Sequence, residues 1–416
     1  PKMKRRHAVL CIWLLAAWLP AALSMIASPH PFMEKQPDGQ EVKMHIHGTE
    51  VFSYLSDEAG YTVVQGNGNA KGQRWLEYAV LDDNDELVPS GLVVGKADPK
   101  KAGLNKRTTP RKETVMKKCR AKKFCSDDNS GPAKPKMSIQ AITSGNLKNL
   151  VVAFKFADHA TRPVPSRENL DVIMNAVGGD SELAPTGSVR DVFTVSSHGQ
   201  LTLESTVYPW VTVSGTEAYY ADGDSGTQVL WEGLKEALDI IDSDPAFDFK
   251  DFDLDNDGMI DAITFLHSGY GAEWGGTDAY GTGYRNRIWS HKWAMYSPGP
   301  WTSSNKGRGT VQVYTYHISP AVWGTSGSEI GRIGVIAHET GHFLGLPDLY
   351  DGSGGSGIGA YGLMANSWGF DGSQRYPPIM SPWSKTQLGW VTATEITADG
   401  TYSLSGSWNT PQVYKI

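Results

Sequence analysis

Residues 336–351 read IAHETGHFLGLPDLYD, and their spacing decides how the rest of the chain is read. His338 and His342 stand four residues apart, Glu339 follows the first of them, and Gly345, Pro347 and Asp348 come after the second. On an α-helix, residues four apart share a face, as two imidazoles must if they are to reach one metal ion. Neutral imidazole suits zinc, which in catalytic sites takes three protein ligands and keeps a position for water. Glu339 is placed to take the proton of that zinc-bound water as it attacks a carbonyl. Gly345 lets the chain leave the helix sharply and Pro347 stops it continuing, so the turn can bring Asp348 back as a third ligand. The surrounding SEIGRIGVIAHETGHFLGL reads as one helix, with Ser326 or Ser328 as its cap.

HETGHFLGLPD also fits the extended H-E-x-x-H-x-x-G-x-x-D pattern of zinc metallopeptidases that carry a methionine-bearing turn. From about Leu147 to Val391 the chain resembles the immune inhibitor A family of secreted bacterial peptidases, with GLPDLYD the most specific part. The resemblance implies that His338, His342 and Asp348 bind zinc, that Glu339 is the catalytic base, and that Met364, in YGLMANSWG, lies in a turn beneath the metal without ligating it. As a residue alone, Met364 reads equally well as a flexible filler of a core gap. Several metallopeptidase relatives place a tyrosine two residues after that methionine, where this chain has Asn366. Asn366, Tyr361 and His317 are therefore the candidates for stabilising the tetrahedral intermediate, beside the metal itself.

A second metal is suggested by DFDLDNDGMIDAITF. Asp253, Asp255, Asp257, Met259 and Asp261 are its candidate calcium ligands, because hard oxygens at alternate positions around a glycine turn are how a short loop wraps that ion. Thr264 occupies the twelfth position, where an EF-hand needs glutamate, so this is not an EF-hand; a solvated acidic turn is the plainer alternative. In HSGYGAEWGG, which matches a stretch of the same family, His267 and Glu273 read either as satisfied core residues or as participants in a site. RNRIWSHKWAMYSPGPW (285–301) is aromatic enough to wall a cleft or to fill a core.

The 416 residues are 40% hydrophobic and 20% charged, an ordinary globular composition. The net charge of −7 divides into about +7 over residues 1–144 and about −14 over the remainder. Much of the positive charge lies in KADPKKAGLNKRTTPRKETVMKKCRAKKF (96–124), which has few aromatics to stack bases and reads as a solvated basic linker rather than a nucleic-acid arm. Lys4, Arg5 and Arg6 precede AVLCIWLLAAWLPAALSMIA, the layout of a signal peptide cut after Ser24 or Ala27, with an uncleaved membrane anchor as the alternative. Cys11 would leave with that peptide, so Cys119 and Cys125 pair as a disulfide or offer a thiolate to the metal of a latent precursor.

The organisation expected is a signal peptide (1–27), a small β-rich propeptide (28–97), a basic processing linker (98–145), a catalytic domain (146–392) and the start of a C-terminal β region (393–416) that continues past the last residue. The fold class expected is an α/β (α+β) metallopeptidase domain, a mixed sheet plus the zinc-binding helix and Met-turn, behind that propeptide. The function expected is a secreted zinc endopeptidase made as a zymogen. Its partners would be protein substrates and an activating protease at the linker, with no nucleic acid and no stable membrane insertion. A zinc hydrolase of a non-peptide substrate and a catalytically silent binding module are the rivals, and the intact Glu339 speaks against the second.

Overall fold

The computed structural model describes residues 23–68, 73–121, 141–226, 228–350, 357–406 and 410–416. Most of the expected signal peptide, together with Cys11 and Cys125, lies outside the described residues.

After the two-residue strand β1 (Leu23–Ser24), six strands follow in an antiparallel meander: β2 (Phe32–Lys35), β3 (Glu41–Gly48), β4 (Ser53–Asp57), β5 (Thr62–Gln65), β6 (Leu76–Leu81) and β7 (Leu87–Val93). In β3, Val42, Met44 and Ile46 turn inward while Glu41 and Lys43 face solvent, the period-two pattern of a half-buried strand. The Asp82 carboxylate accepts the backbone N–H groups of Asn84 (2.9 Å) and Glu86 (2.8 Å), which sets the turn between β6 and β7.

The basic stretch that follows is not a free linker throughout. Residues Lys112–Ala121 form helix α1, and its Cys119 is 1% exposed and lies in the same apolar cluster as Phe154 and Leu230. Asp85 ties the helix start by accepting from Arg111 N (2.8 Å) and Thr114 Oγ1 (2.6 Å). Cys119 is disulfide-bonded, and its partner lies outside the described residues, so it has no thiolate to offer a metal.

The larger unit contains β8 (Gly145–Lys155), α2 (Arg167–Asn175), α3 (Val189–Ser196), β9 (Leu201–Thr212), α4 (Glu217–Ala221), α5 (Leu230–Asp242), β10 (Ile263–His267) and β11 (His291–Ala294). It continues with β12 (Trp301–Thr302), β13 (Gln312–Val313), β14 (Thr315–Pro320), α6 (Ile333–Gly341), α7 (Pro382–Gln387), β15 (Ala393–Glu395) and β16 (Val413–Lys415). Its main sheet runs β1-β11-β14-β10-β8-β9. Strands β14, β10, β8 and β9 are parallel, whereas β11 and β1 are added antiparallel at one edge. The run LVVAF in β8 is 0% exposed throughout, as expected of a strand covered on both faces. Val151 and Ala153 meet α2, α3 and α6 through Leu170, Ile173, Phe193 and Ile336. Leu150, Val152 and Phe154 meet α5 through Leu230, Leu234 and Leu238. The sheet is thus the middle layer of an α/β sandwich.

Three local details follow from the packing. LTLESTVYPWVT is one long edge strand, β9, and Pro209 is tolerated because an edge strand can spare its N–H. Helix α5 starts at Leu230 behind Val229 with no side-chain cap, while Ser225 is left-handed (φ 59°) and donates to Tyr284 O. Helix α6 starts at Ile333, later than Ser326 or Ser328 would place it, because Ile330 bridges Val322 and Gly331 N–H bonds Ala321 O.

The first turn of α6 is seated tightly. A Cβ at Gly334 would lie 2.3 Å from the Ser367 carbonyl oxygen, a backbone atom that cannot step aside alone. Gly334→Ala should therefore destabilise by about 1–3 kcal/mol despite alanine's better helix propensity. Thermal or urea unfolding of variant and parent would measure it, and an unchanged midpoint would contradict this seating.

Candidate active site

Helix α6 carries His338 and Glu339, and the 3₁₀ turn His342–Leu344 continues it. Gly345 then takes φ 82° and turns the chain back, the left-handed step for which glycine is suited. His338 Nδ1 bonds Leu363 O (2.9 Å) and His342 Nδ1 bonds Leu346 O (2.8 Å). Each carbonyl fixes its ring and leaves Nε2 pointing at Asp348, whose Oδ1 is 3.1 Å from His338 Nε2 and 3.4 Å from His342 Nε2. Both Nε2 atoms and Asp348 Oδ1 are buried without a hydrogen-bond partner. The ligand atoms of the three residues lie within 4.8 Å of one another, so they fit a single metal ion.

Glu339 is 0% exposed, and neither carboxylate oxygen has a hydrogen-bond partner. Burial pushes its pKa well up; Asp348, Glu50 and Glu273 push the same way, and Lys292 opposes them. Burial brings the Lys292 ammonium down to about 8 against the pull of Glu339. Burial also works against Asp348's charge, but His342 and His338 outweigh it and hold its carboxyl below the usual range.

Met364 is 1% exposed and packs under α6, its sulfur 2.6 Å from where a Cβ on Gly341 would stand. Leu363 beside it supplies the carbonyl that orients His338. The three oxyanion candidates fare differently. Tyr361 is 81% exposed, and Asn366 Oδ1 is taken by Trp368 N (3.1 Å). His317 is wholly buried between Thr264 Oγ1 (2.7 Å) and Thr340 Oγ1 (3.2 Å).

His267 is a core residue, with Nδ1 on Gly269 N–H (3.2 Å) and its pKa brought to about 3 by burial. Glu273 accepts from Ser290 Oγ (2.7 Å). His291 spans Trp289 O (2.7 Å) and Tyr316 OH (3.0 Å), so it is no ligand. Trp289 and Trp293 of the aromatic stretch are core, at 0% and 1% exposure.

Three residues near the metal group were not foreseen. Tyr350 lies with its ring 6.3 Å from that of His338, stacked at 19°, and its hydroxyl is buried. Its position in GLPDLYD was the available signal. Lys292 neighbours His291 on an alternating strand, and Glu50 sits in the β3–β4 loop of the N-terminal sheet, where no motif marks it.

Residues 178–391, just over half the chain, fit the family described as immune inhibitor A peptidase M6, catalytic domain. The chain belongs to the immune inhibitor A peptidase family. Its matched domain is of the metallo-endopeptidase class, hydrolases that cut peptide bonds. The chain is 30% identical over 224 residues to immune inhibitor A of Bacillus thuringiensis subsp. alesti, a match covering 47% of this chain and 31% of that protein. It is 30% identical over 227 residues to the pre-pro-metalloprotease PrtV of Vibrio cholerae serotype O1, covering 48% of this chain and 23% of the relative. The matched part thus spans less than a third of either relative. No described helix is long and apolar enough to cross a membrane.

The acidic loop gathers part of its expected ligand set. Asp253, Asp255 and Asp261 come within 4.8 Å of one another, while Asp257 stays outside that group, its Oδ1 accepting Met259 N–H (2.7 Å). Lys250 pairs with Asp253. Burial, then Asp255, Asp253 and Asp257, raise the Asp261 pKa from 3.8 to about 7. A raised carboxyl favours the folded state only while protonated. The penalty is therefore absent below pH 3.8, grows as pH rises, and is complete above about 7. Calcium at this loop should relieve it, so the gain in Tm on adding calcium should be larger at pH 8 than at pH 5. Differential scanning fluorimetry measures this, and an equal gain at both pH values would dissociate Asp261 from the effect.

Proposed function

We propose that this protein is a secreted zinc endopeptidase made as a zymogen, with His338, His342 and Asp348 as the zinc ligands and Glu339 as the general base. The observation that carries this reading is the convergence of the two Nε2 atoms and Asp348 Oδ1 beside a wholly buried Glu339. Zinc, when bound, supplies Lewis acidity toward water and the scissile carbonyl. Glu339 accepts the proton of the attacking water and passes it to the leaving amine. Lys292 lends positive charge that favours the ionised base at neutral pH. Met364 plays the Met-turn part, packing beneath α6 and holding Leu363 where its carbonyl orients His338. Calcium at Asp253, Asp255 and Asp261, with Asp257 and Met259 in the same loop, is a structural ion that stabilises the fold by binding it alone.

The zymogen reading rests on the N-terminal sheet. Val51, at the tip of its β3–β4 loop, packs into the catalytic domain's apolar cluster, and the adjacent Glu50 carboxylate acts on both Glu339 and Tyr350. A propeptide so placed covers the site with a carboxylate, a group that competes with a substrate carbonyl for the metal. The residues beyond α1 then serve as the processing linker.

Casein hydrolysis by the processed protein should disappear with a zinc chelator and return on adding zinc. Glu339→Ala should lower kcat roughly 10²- to 10⁴-fold while keeping its zinc, measured by metal analysis. Zinc binding without any hydrolysis of protein would turn the assignment toward a non-peptide hydrolase or a binding module. Glu50→Gln should raise the activity of the uncleaved precursor at least about fivefold. A precursor as silent as the parent would remove Glu50 from latency.

A further inference from the structure

The signal-peptide reading allows a cut after Ser24 or after Ala27, and the fold distinguishes the two by what each removes: of the described residues, the first takes only the two-residue edge strand β1 from beside β11, and the second also takes the buried Met25 out of the core. Residues 25–30 form a strap fastened to the catalytic domain at nearly every position. Met25 is 1% exposed within the main apolar cluster and accepts a contact from Ser367 Oγ (2.7 Å) on its sulfur. Its carbonyl accepts the indole N–H of Trp289 (2.8 Å), and the Ile26 carbonyl accepts that of Trp368 (3.2 Å). Ser28 N–H bonds Glu273 O (2.8 Å). His30 bonds Gly372 O (2.7 Å), stacks on Trp274 at 5.5 Å and meets Trp368 edge-on at 6.0 Å. Next along the chain, Phe32 lies on Gly275 and Gly276, where a Cβ on either would stand 2.6 Å from its ring.

A cut after Ala27 would discard the first three of these residues. Trp289 and Trp368 are 0% and 1% exposed, so two buried indole N–H groups would lose their acceptors, and the Met25 site in the core would empty. The sequence agrees. Ala22-Leu23-Ser24 puts small residues at the two positions a signal peptidase reads, whereas Met25-Ile26-Ala27 puts a bulky methionine at one of them.

We propose that signal peptidase cuts between Ser24 and Met25, and that Met25–His30 remains in the secreted precursor as a strap clamping the N-terminal sheet onto the catalytic domain. This rests on the signal-peptide reading. The cut is a hydrolysis: water gives its hydroxyl to the Ser24 carbonyl and a proton to the Met25 nitrogen. That nitrogen lies 3.3 Å from Ser290 O, and the Ser290 side chain is bound to the Glu273 carboxylate. The strap also reaches the latency loop, because Ala27 N–H bonds Gly48 O (2.9 Å) two residues before Glu50.

The test uses the secreted Glu339→Ala precursor, which cannot process itself, and reads its N-terminus by intact mass and Edman sequencing. A chain starting at Met25 is expected. A start at Ser28, or any other cut, overturns the assignment. A chain that keeps its basic N-terminus instead defeats the signal-peptide reading itself, a separate failure. For the clamp, the same precursor is made with its signal joined directly to Ser28. Trypsin should then digest its N-terminal sheet at least about tenfold faster, given two unpaired buried donors. An unchanged rate would leave the strap without a clamping role.

Discussion

The rest of this structure depends on a group of buried polar atoms that the protein leaves unsatisfied. Burying an ionisable carboxylate such as Glu339, and two imidazole nitrogens, without hydrogen-bond partners costs several kcal/mol against a net stability of about 5–15 kcal/mol. A fold keeps such an arrangement where function requires it. The Nδ1 atoms of both histidines are spent on the carbonyls of Leu363 and Leu346, which fixes where each Nε2 must point. Those carbonyls lie in the segments after α6, so the αL turn at Gly345 and the seating of Met364 under Gly341 serve the same geometry. Disturbing either would misaim one of these rings without touching it.

The sheet explains why this can be held rigidly. Four parallel strands covered on both faces present a stiff support, and α6 packs on one face among Val151, Leu203 and Leu266. The antiparallel strand β11 brings Lys292 up to Glu339, while its neighbour His291 turns into the core and bonds Tyr316. Alternation along one strand thus separates a packing residue from one that acts on the Glu339 carboxylate.

Much of this was legible beforehand, for identifiable reasons. His338, Glu339, His342 and Asp348 are close in sequence, so helical periodicity and one glycine turn suffice to bring them together. LVVAF carries an equally local signal, because a strand buried on both faces needs nothing but apolar residues. Lys292 and Glu50 were not legible, because the pairing of β11 with β14 brings the first to Glu339 and docking of the N-terminal sheet brings the second. The late start of α6 was hidden for a similar reason. Ser326 and Ser328 look like caps locally, but the bridge between Val322 and Ile330 holds the segment extended. Likewise the charges of residues 96–124 suggested solvation and concealed a helix whose one buried cysteine anchors it.

The sign of the charges at the site bears on how cover and metal influence one another. Asp348 and Glu50 both raise the pKa of Glu339, so without a cation the N-terminal loop brings a third carboxylate toward two others. Repulsion at that point opposes docking of the loop. On the proposed function, a divalent cation held by His338, His342 and Asp348 would reverse this and make the Glu50 carboxylate a favourable neighbour. Binding free energies are reciprocal, so if the metal favours the docked cover, the docked cover must favour the metal by the same factor. On the zymogen reading, the covered precursor is therefore the form that holds its metal most tightly. Removing the cover opens the cleft and gives up part of that affinity, which leaves His338, His342 and Asp348 to retain the ion by their own geometry.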